Sequence, residues 1–140
     1  MGTLIKFIII VAISTVFSYA QGQDTYSLTV KVEDADSNDG QMFIAVYNAE
    51  ANFLGKSYKG TTSKISNNSC TVTFKDIPKG TYAVSIFHDE NDNGKLDSNF
   101  LGIPKEDYGC SNNASGFMGP PKWKDAKFEL KENSSITITL

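Results

Sequence analysis

The chain has 140 residues, with 13 lysines, no arginine and 16 acidic residues, giving a formal net charge of -3. That length points to one domain, and the lack of arginine's planar fork on an acidic chain argues against phosphate or base readout, so no nucleic-acid partner is expected. The single histidine, His88, cannot by itself build a multi-histidine zinc or iron centre.

The first twenty residues read as a signal peptide rather than as part of the fold. Lys6 supplies a positive start, Phe7 to Phe17 (FIIIVAISTVF) an apolar core, and Ser18-Tyr19-Ala20 the small residues of a cleavage site after Ala20. The apolar run is short of the roughly 20 residues that span a bilayer, and an uncleaved anchor is the alternative. No other stretch is apolar enough to span, so no membrane span is expected after cleavage. The mature domain is expected to run over 21–140 and to be exported, to the periplasm or beyond the cell.

Tyr26, Leu28, Val30 and Val32 alternate with Ser27, Thr29 and Lys31, the pattern of a half-buried strand. Asp34 to Gly40 (DADSNDG) is a turn, and Gln41 to Tyr47 (QMFIAVY) reads as a central strand forming a hairpin with the first. Asn48 to Gly60 is ambiguous between a helical turn and a loop, and Thr61 to Ser66 fits a short edge strand. Cys70 to Lys75 is a clearer strand, followed by a turn at Asp76-Ile77-Pro78-Lys79-Gly80 and a strand carrying Tyr82, Val84 and Ile86 on one side. Ala126 to Lys131 and Ser135 to Leu140 read as a terminal hairpin. The sum is an all-β chain: a small immunoglobulin-like or transthyretin-like β-sandwich of about seven strands with a long Gly/Asn-rich loop.

That loop holds the densest chemistry. Asp89, Asn91, Asn93 and Asp97 place side-chain oxygens at alternate positions, Lys95 can offer its backbone carbonyl, and Gly94 permits a sharp turn among them. Calcium takes six to eight oxygen ligands in such flexible cages. The opening nine positions of an EF-hand loop are matched, but Phe100 stands where the closing glutamate belongs, and the preceding segment reads as a strand rather than a helix. A calcium loop of EF-like spacing is one reading, its missing charge supplied by Glu90, Asp92 or Asp107. A metal-free turn in which Asp and Asn side chains cap backbone N–H groups is the other.

His88 adjoins the loop on the face of Tyr82, Val84 and Ile86, which favours a buried structural imidazole over a catalyst. No GxSxG elbow supplies a nucleophile. Asp89 and Asp97 could act as paired carboxylates in a hydrolase of envelope glycans only across a cleft of defined width. Tyr108, Phe117 and Trp123 are candidates for contact with a protein or glycan of the cell envelope, or for packing the loop over the sandwich. Cys70 and Cys110 are the only cysteines, 40 positions apart. In an oxidising compartment they either pair as a disulfide or stay separately buried.

The run HDENDNGKLDSNFLGIPKEDYGCSNNASGFMGPPKWKDAKFEL, with the preceding FKDIPKGTYAVSIFHD, resembles a bacterial exported family catalogued as domain of unknown function 2141. The resemblance rests on His88, Asp89, Asn91, Asn93, Gly94, Leu96 and Asp97, on Asn99 to Gly102, Pro104, Tyr108 and Gly109, and on Ser111, Asn112, Asn113, Gly119 and Pro120. It implies a small exported transthyretin-like or immunoglobulin-like sandwich and no established activity. Cys110 stands where the family commonly has an aromatic residue, so a disulfide there would be a local feature. The functional expectation is a non-catalytic exported domain with a calcium-stabilised loop, the alternatives being the hydrolase and a purely structural module without metal.

Overall fold

The computed structural model describes residues 22–140; the expected leader at 1–20 lies outside the described residues. Among the described residues eight strands form two sheets. The strands are β1 (Thr25–Glu33), β2 (Gln41–Tyr47), β3 (Lys59–Ser63), β4 (Cys70–Pro78), β5 (Gly80–Asp89), β6 (Tyr108–Cys110), β7 (Phe128–Leu130) and β8 (Ser134–Thr139). The first sheet has the order β4-β1-β8, and the second the order β3-β2-β5-β6, with β7 also paired to β5.

The alternation read from Tyr26 onward is realised in β1, where Leu28, Val30 and Val32 are fully buried. Facing them from the second sheet are Met42, Ile44 and Val46 of β2 and Tyr82, Val84 and Ile86 of β5. These side chains close into one core with Phe74, Ile77, Leu130 and Ile138. Each strand sends every second residue inward because successive side chains leave the pleat on opposite faces.

Two pairings differ from expectation. β1 and β2 do not form a hairpin: β1 pairs with β4 antiparallel and with β8 parallel, while β2 pairs with β3 and β5. Nor do β7 and β8 form a hairpin, since β7 adds to β5 and the chain then crosses to the other sheet. Turn residues fix where a chain reverses; which sheet the next strand joins is decided by core burial, which both assignments satisfy.

The cysteines do not bridge. Cys70 opens β4 in the first sheet and Cys110 ends β6 in the second, and both are free and buried. They belong to different apolar clusters, Cys70 to the main core and Cys110 to a smaller one with Ala83 and Ala126. Burial pushes the Cys70 thiol up and the Cys110 thiol to about 11. No described helix is long and apolar enough to cross a membrane.

Candidate functional site

β5 runs without interruption into the Asp/Asn-rich turn, and its last residue, Asp89, is fully buried. A buried carboxylate must be satisfied, and this one accepts the Asn93 N–H at 3.1 Å and the Gly94 N–H at 2.9 Å. Gly94 sits at φ +80°, the left-handed conformation that the sharp turn requires. The Asn91 oxygen accepts the Asn93 N–H at 3.3 Å and the Asn93 oxygen accepts the Lys95 N–H at 3.1 Å. The amide nitrogens of both point at Asp97, from Asn91 at 2.7 Å and from Asn93 at 2.7 and 2.9 Å. Those donors, Asn93 foremost and then Asn91, hold the Asp97 carboxyl below its ordinary range.

The turn thus gathers Asp89, Asn91, Asn93 and Asp97, with the exposed Lys95 between them. Among the described residues no three His, Cys, Asp or Glu side chains converge as a metal cluster. A calcium ion here would need the Asn91 and Asn93 amides to turn over, replacing their hydrogen bonds to Asp97 with oxygen–ion contacts.

Sequence reasoning missed Glu106. It is buried, and its two oxygens accept the Glu90 N–H at 3.2 Å and the Asp97 N–H at 3.1 Å, clamping the two ends of the turn. The spacing signal stops at Asp97, and a residue 16 positions from its partner leaves no local pattern. Asp107, one of the carboxylates expected to complete the cage, instead lies against Asp36. Its pKa is raised, first by burial and then by that neighbour.

His88 is fully buried on the inner face of the second sheet. Its Nε2 lies 2.6 Å from the Asp39 carbonyl oxygen, to which an Nε2–H donates. Nδ1 lacks a hydrogen-bond partner and is 3.7 Å from a Glu90 carboxylate oxygen. Trp123 packs edge-on against Phe53 with centroids 5.7 Å apart, and Phe53 meets Tyr47 in the same manner at 5.4 Å. Phe117 is 94% exposed and packs nothing down, whereas Tyr108 is 44% exposed.

Tyr108 belongs to a feature that the sequence did not reveal. On the outer face of the second sheet, Phe43 and Phe87 stand directly opposite one another and stack at 4.7 Å with an interplanar angle of 8°. Between this face and the segment from Leu96 to Pro121 lies a cleft of about 720 Å³. Phe43, Ala45, Ser85 and Phe87 form its floor, Thr61 and Thr62 of the edge strand one side, and Leu96, Pro104 and Pro120 parts of the cover. Among the described residues no charged side chain lines it, and neither Asp89 nor Asp97 borders it.

The covering segment is folded on itself near its start and tied to the sheets near its end. Near its start, Asn99 accepts the N–H groups of Leu101 and Ile103. Farther on, Ser111 is fully buried. Its hydroxyl donates to the Ala126 carbonyl at 2.5 Å and accepts the Val84 N–H at 3.0 Å. Asn112 donates to the carbonyls of Asp125 and Lys127, and Asn113 accepts the Thr139 N–H. Ser111-Asn112-Asn113 is therefore a clip joining β5, the short helix at Trp123–Ala126 and β8.

No curated protein and no solved structure matches the chain. Residues 30–139, which take in the oxygen-rich turn, the clip and both sheets except the first five residues of β1, match the family described as "Uncharacterized protein conserved in bacteria (DUF2141)", and the chain belongs to that family.

Proposed function

We propose that the protein is an exported, non-catalytic binding domain that holds a component of the cell envelope in the cleft over the outer face of the second sheet. Calcium, bound weakly by Asp89, Asn91, Asn93, the Lys95 carbonyl and Asp97, would steady the segment that covers the cleft. The observation that carries the reading is the cleft itself: about 720 Å³, within the range of small-ligand sites, with an uncharged lining. The run from Lys6 to Ala20, with the pattern expected of a signal peptide, supports the location. A protein or a glycan of the envelope is the partner expected from the sequence.

The hydrolase alternative draws no support from this geometry. Glycan hydrolysis needs two carboxylates facing each other across the substrate, and the cleft presents none. The metal-free module is the second reading, and the amide donors already satisfying Asp97 support it. Thermal unfolding of demetallised protein with calcium, and with magnesium as control, separates the two. A calcium-selective rise in midpoint marks binding to the folded state; no shift at millimolar calcium removes the metal from the proposal.

The binding role is tested by unfolding the protein in the presence of fractionated envelope extract, beside an Ala45→Trp variant whose indole fills the cleft floor. A fraction that raises the midpoint of the wild type but not of the variant supports the role. If every fraction acts on both alike or on neither, the role is wrong.

A further inference from the structure

We infer that the occupant of the cleft is a neutral small molecule with an alkyl or aryl body, and that the cleft selects against ionised ligands of the same shape. This rests on the reading of the cleft as a binding site. The chain carries 13 lysines and 16 acidic residues, yet among the described residues no charged side chain borders the cleft. A carboxylate or ammonium carried inside would lose water and find no counter-charge, which is strongly unfavourable.

The lining also tells against a sugar. It contains no Asn, Gln, Asp, Glu, Arg or Lys, so a ring of hydroxyls would meet no planar group able to donate or accept in pairs. Its polar side chains are hydroxyls, and two of them, on Tyr47 and Ser85, already bond each other at 3.2 Å. Phe43 and Phe87 lie face to face, so each covers one face of the other. An apolar body against the phenyl edges and Ala45, beneath Leu96 and Pro104, matches these groups without stranding a polar one. The occupant is a free molecule rather than a bilayer surface, because the contacting groups line a recess under a covering segment.

The test titrates N-phenyl-1-naphthylamine, a neutral aromatic probe, into the purified protein and then displaces it with 1-decanol or with decanoate at pH 8. The inference expects a saturable fluorescence rise at one probe per chain, with decanol displacing at concentrations at least about tenfold below decanoate. Ala45→Trp should abolish the signal, and Phe117→Ser, outside the cleft, should leave it unchanged. Should Ala45→Trp fail to fold, Thr62→Trp, opposite Phe43 on the edge strand, blocks the same recess from its rim. Absence of saturable binding, equal displacement by decanoate, or full binding in a folded cleft-filled variant overturns the inference. If a polar envelope fraction still stabilises the wild type but not Ala45→Trp, the binding role stands and only the ligand class is wrong.

Discussion

Replacing Ser111 by alanine isolates the clip from everything else in the fold. The change removes one oxygen from a fully buried site and leaves two backbone groups without it, the Val84 N–H and the Ala126 carbonyl. A buried polar group that loses its partner costs about 1–3 kcal/mol, so the pair should lower stability by roughly 2–6 kcal/mol. For a domain of this size each kcal/mol moves the midpoint by about 3–5 °C, so the unfolding midpoint should fall by roughly 6–30 °C. Circular dichroism melts of Ser111→Ala beside Ser115→Ala, whose side chain is exposed, make the comparison. The exposed change should stay within about 0.5 kcal/mol of wild type. Native-state hydrogen exchange should show the Val84 amide losing protection before those of β1. A Ser111→Ala protein that melts within 2 °C of wild type would refute the reasoning, because the hydroxyl would then carry no more than ordinary surface polarity.

Three further outcomes are expected. Gly40 sits at φ +65° with a virtual Cβ only 1.8 Å from the Asp89 carbonyl oxygen, whereas Gly94 sits at φ +80° in open space. Gly40→Ala should therefore cost well over about 3 kcal/mol and Gly94→Ala only about 1–2 kcal/mol, measured by urea denaturation. The Cys110 thiol, pushed up to about 11 by burial, holds its proton in the folded state where the unfolded chain loses it. Its contribution to stability is whole below pH 9 and declines as pH climbs toward 11, and Cys110→Ala should flatten that part of the pH–stability curve. Alkylation of Cys110 at pH 8 should be slow in the native protein and fast in urea. Asn93→Ala removes the main donor that depresses Asp97, so the Asp97 midpoint followed by NMR should rise toward the ordinary carboxylate range. The stability this depression contributes is present above the ordinary carboxylate pKa and is lost as pH falls through the depressed one.

What was legible in the sequence was local. The alternation in β1, the inward set of β5 and the Asx-rich turn after Asp89 are each written in neighbouring residues, and each appears where those residues place it. The strand β6 was missed because Tyr108-Gly109-Cys110 is too short to show a period. It also uses a glycine where a Cβ would come within 2.9 Å of Ile138. The false hairpins had the same root: the chain does bend within DADSNDG and at Glu132-Asn133, and a bend does not reveal that the next strand joins the other sheet. Glu106 and the cleft depend on segments far apart in sequence meeting in space, and no single-window pattern records such a meeting.

The placement of β1 between β4 and β8 has a consequence for how the chain acquires its shape. A bond from the Ser27 N–H to Asn133 ties residues 106 positions apart, and β8 lies alongside β1 in parallel. The first strand of the domain therefore waits for the last before its sheet is complete. Closing so long a loop is entropically slow. Until Ile136 and Ile138 arrive, one edge of β1 stays open, able to pair with the β1 of another copy. The interval before that closure, rather than the finished sandwich, is when this edge of β1 is open to such pairing.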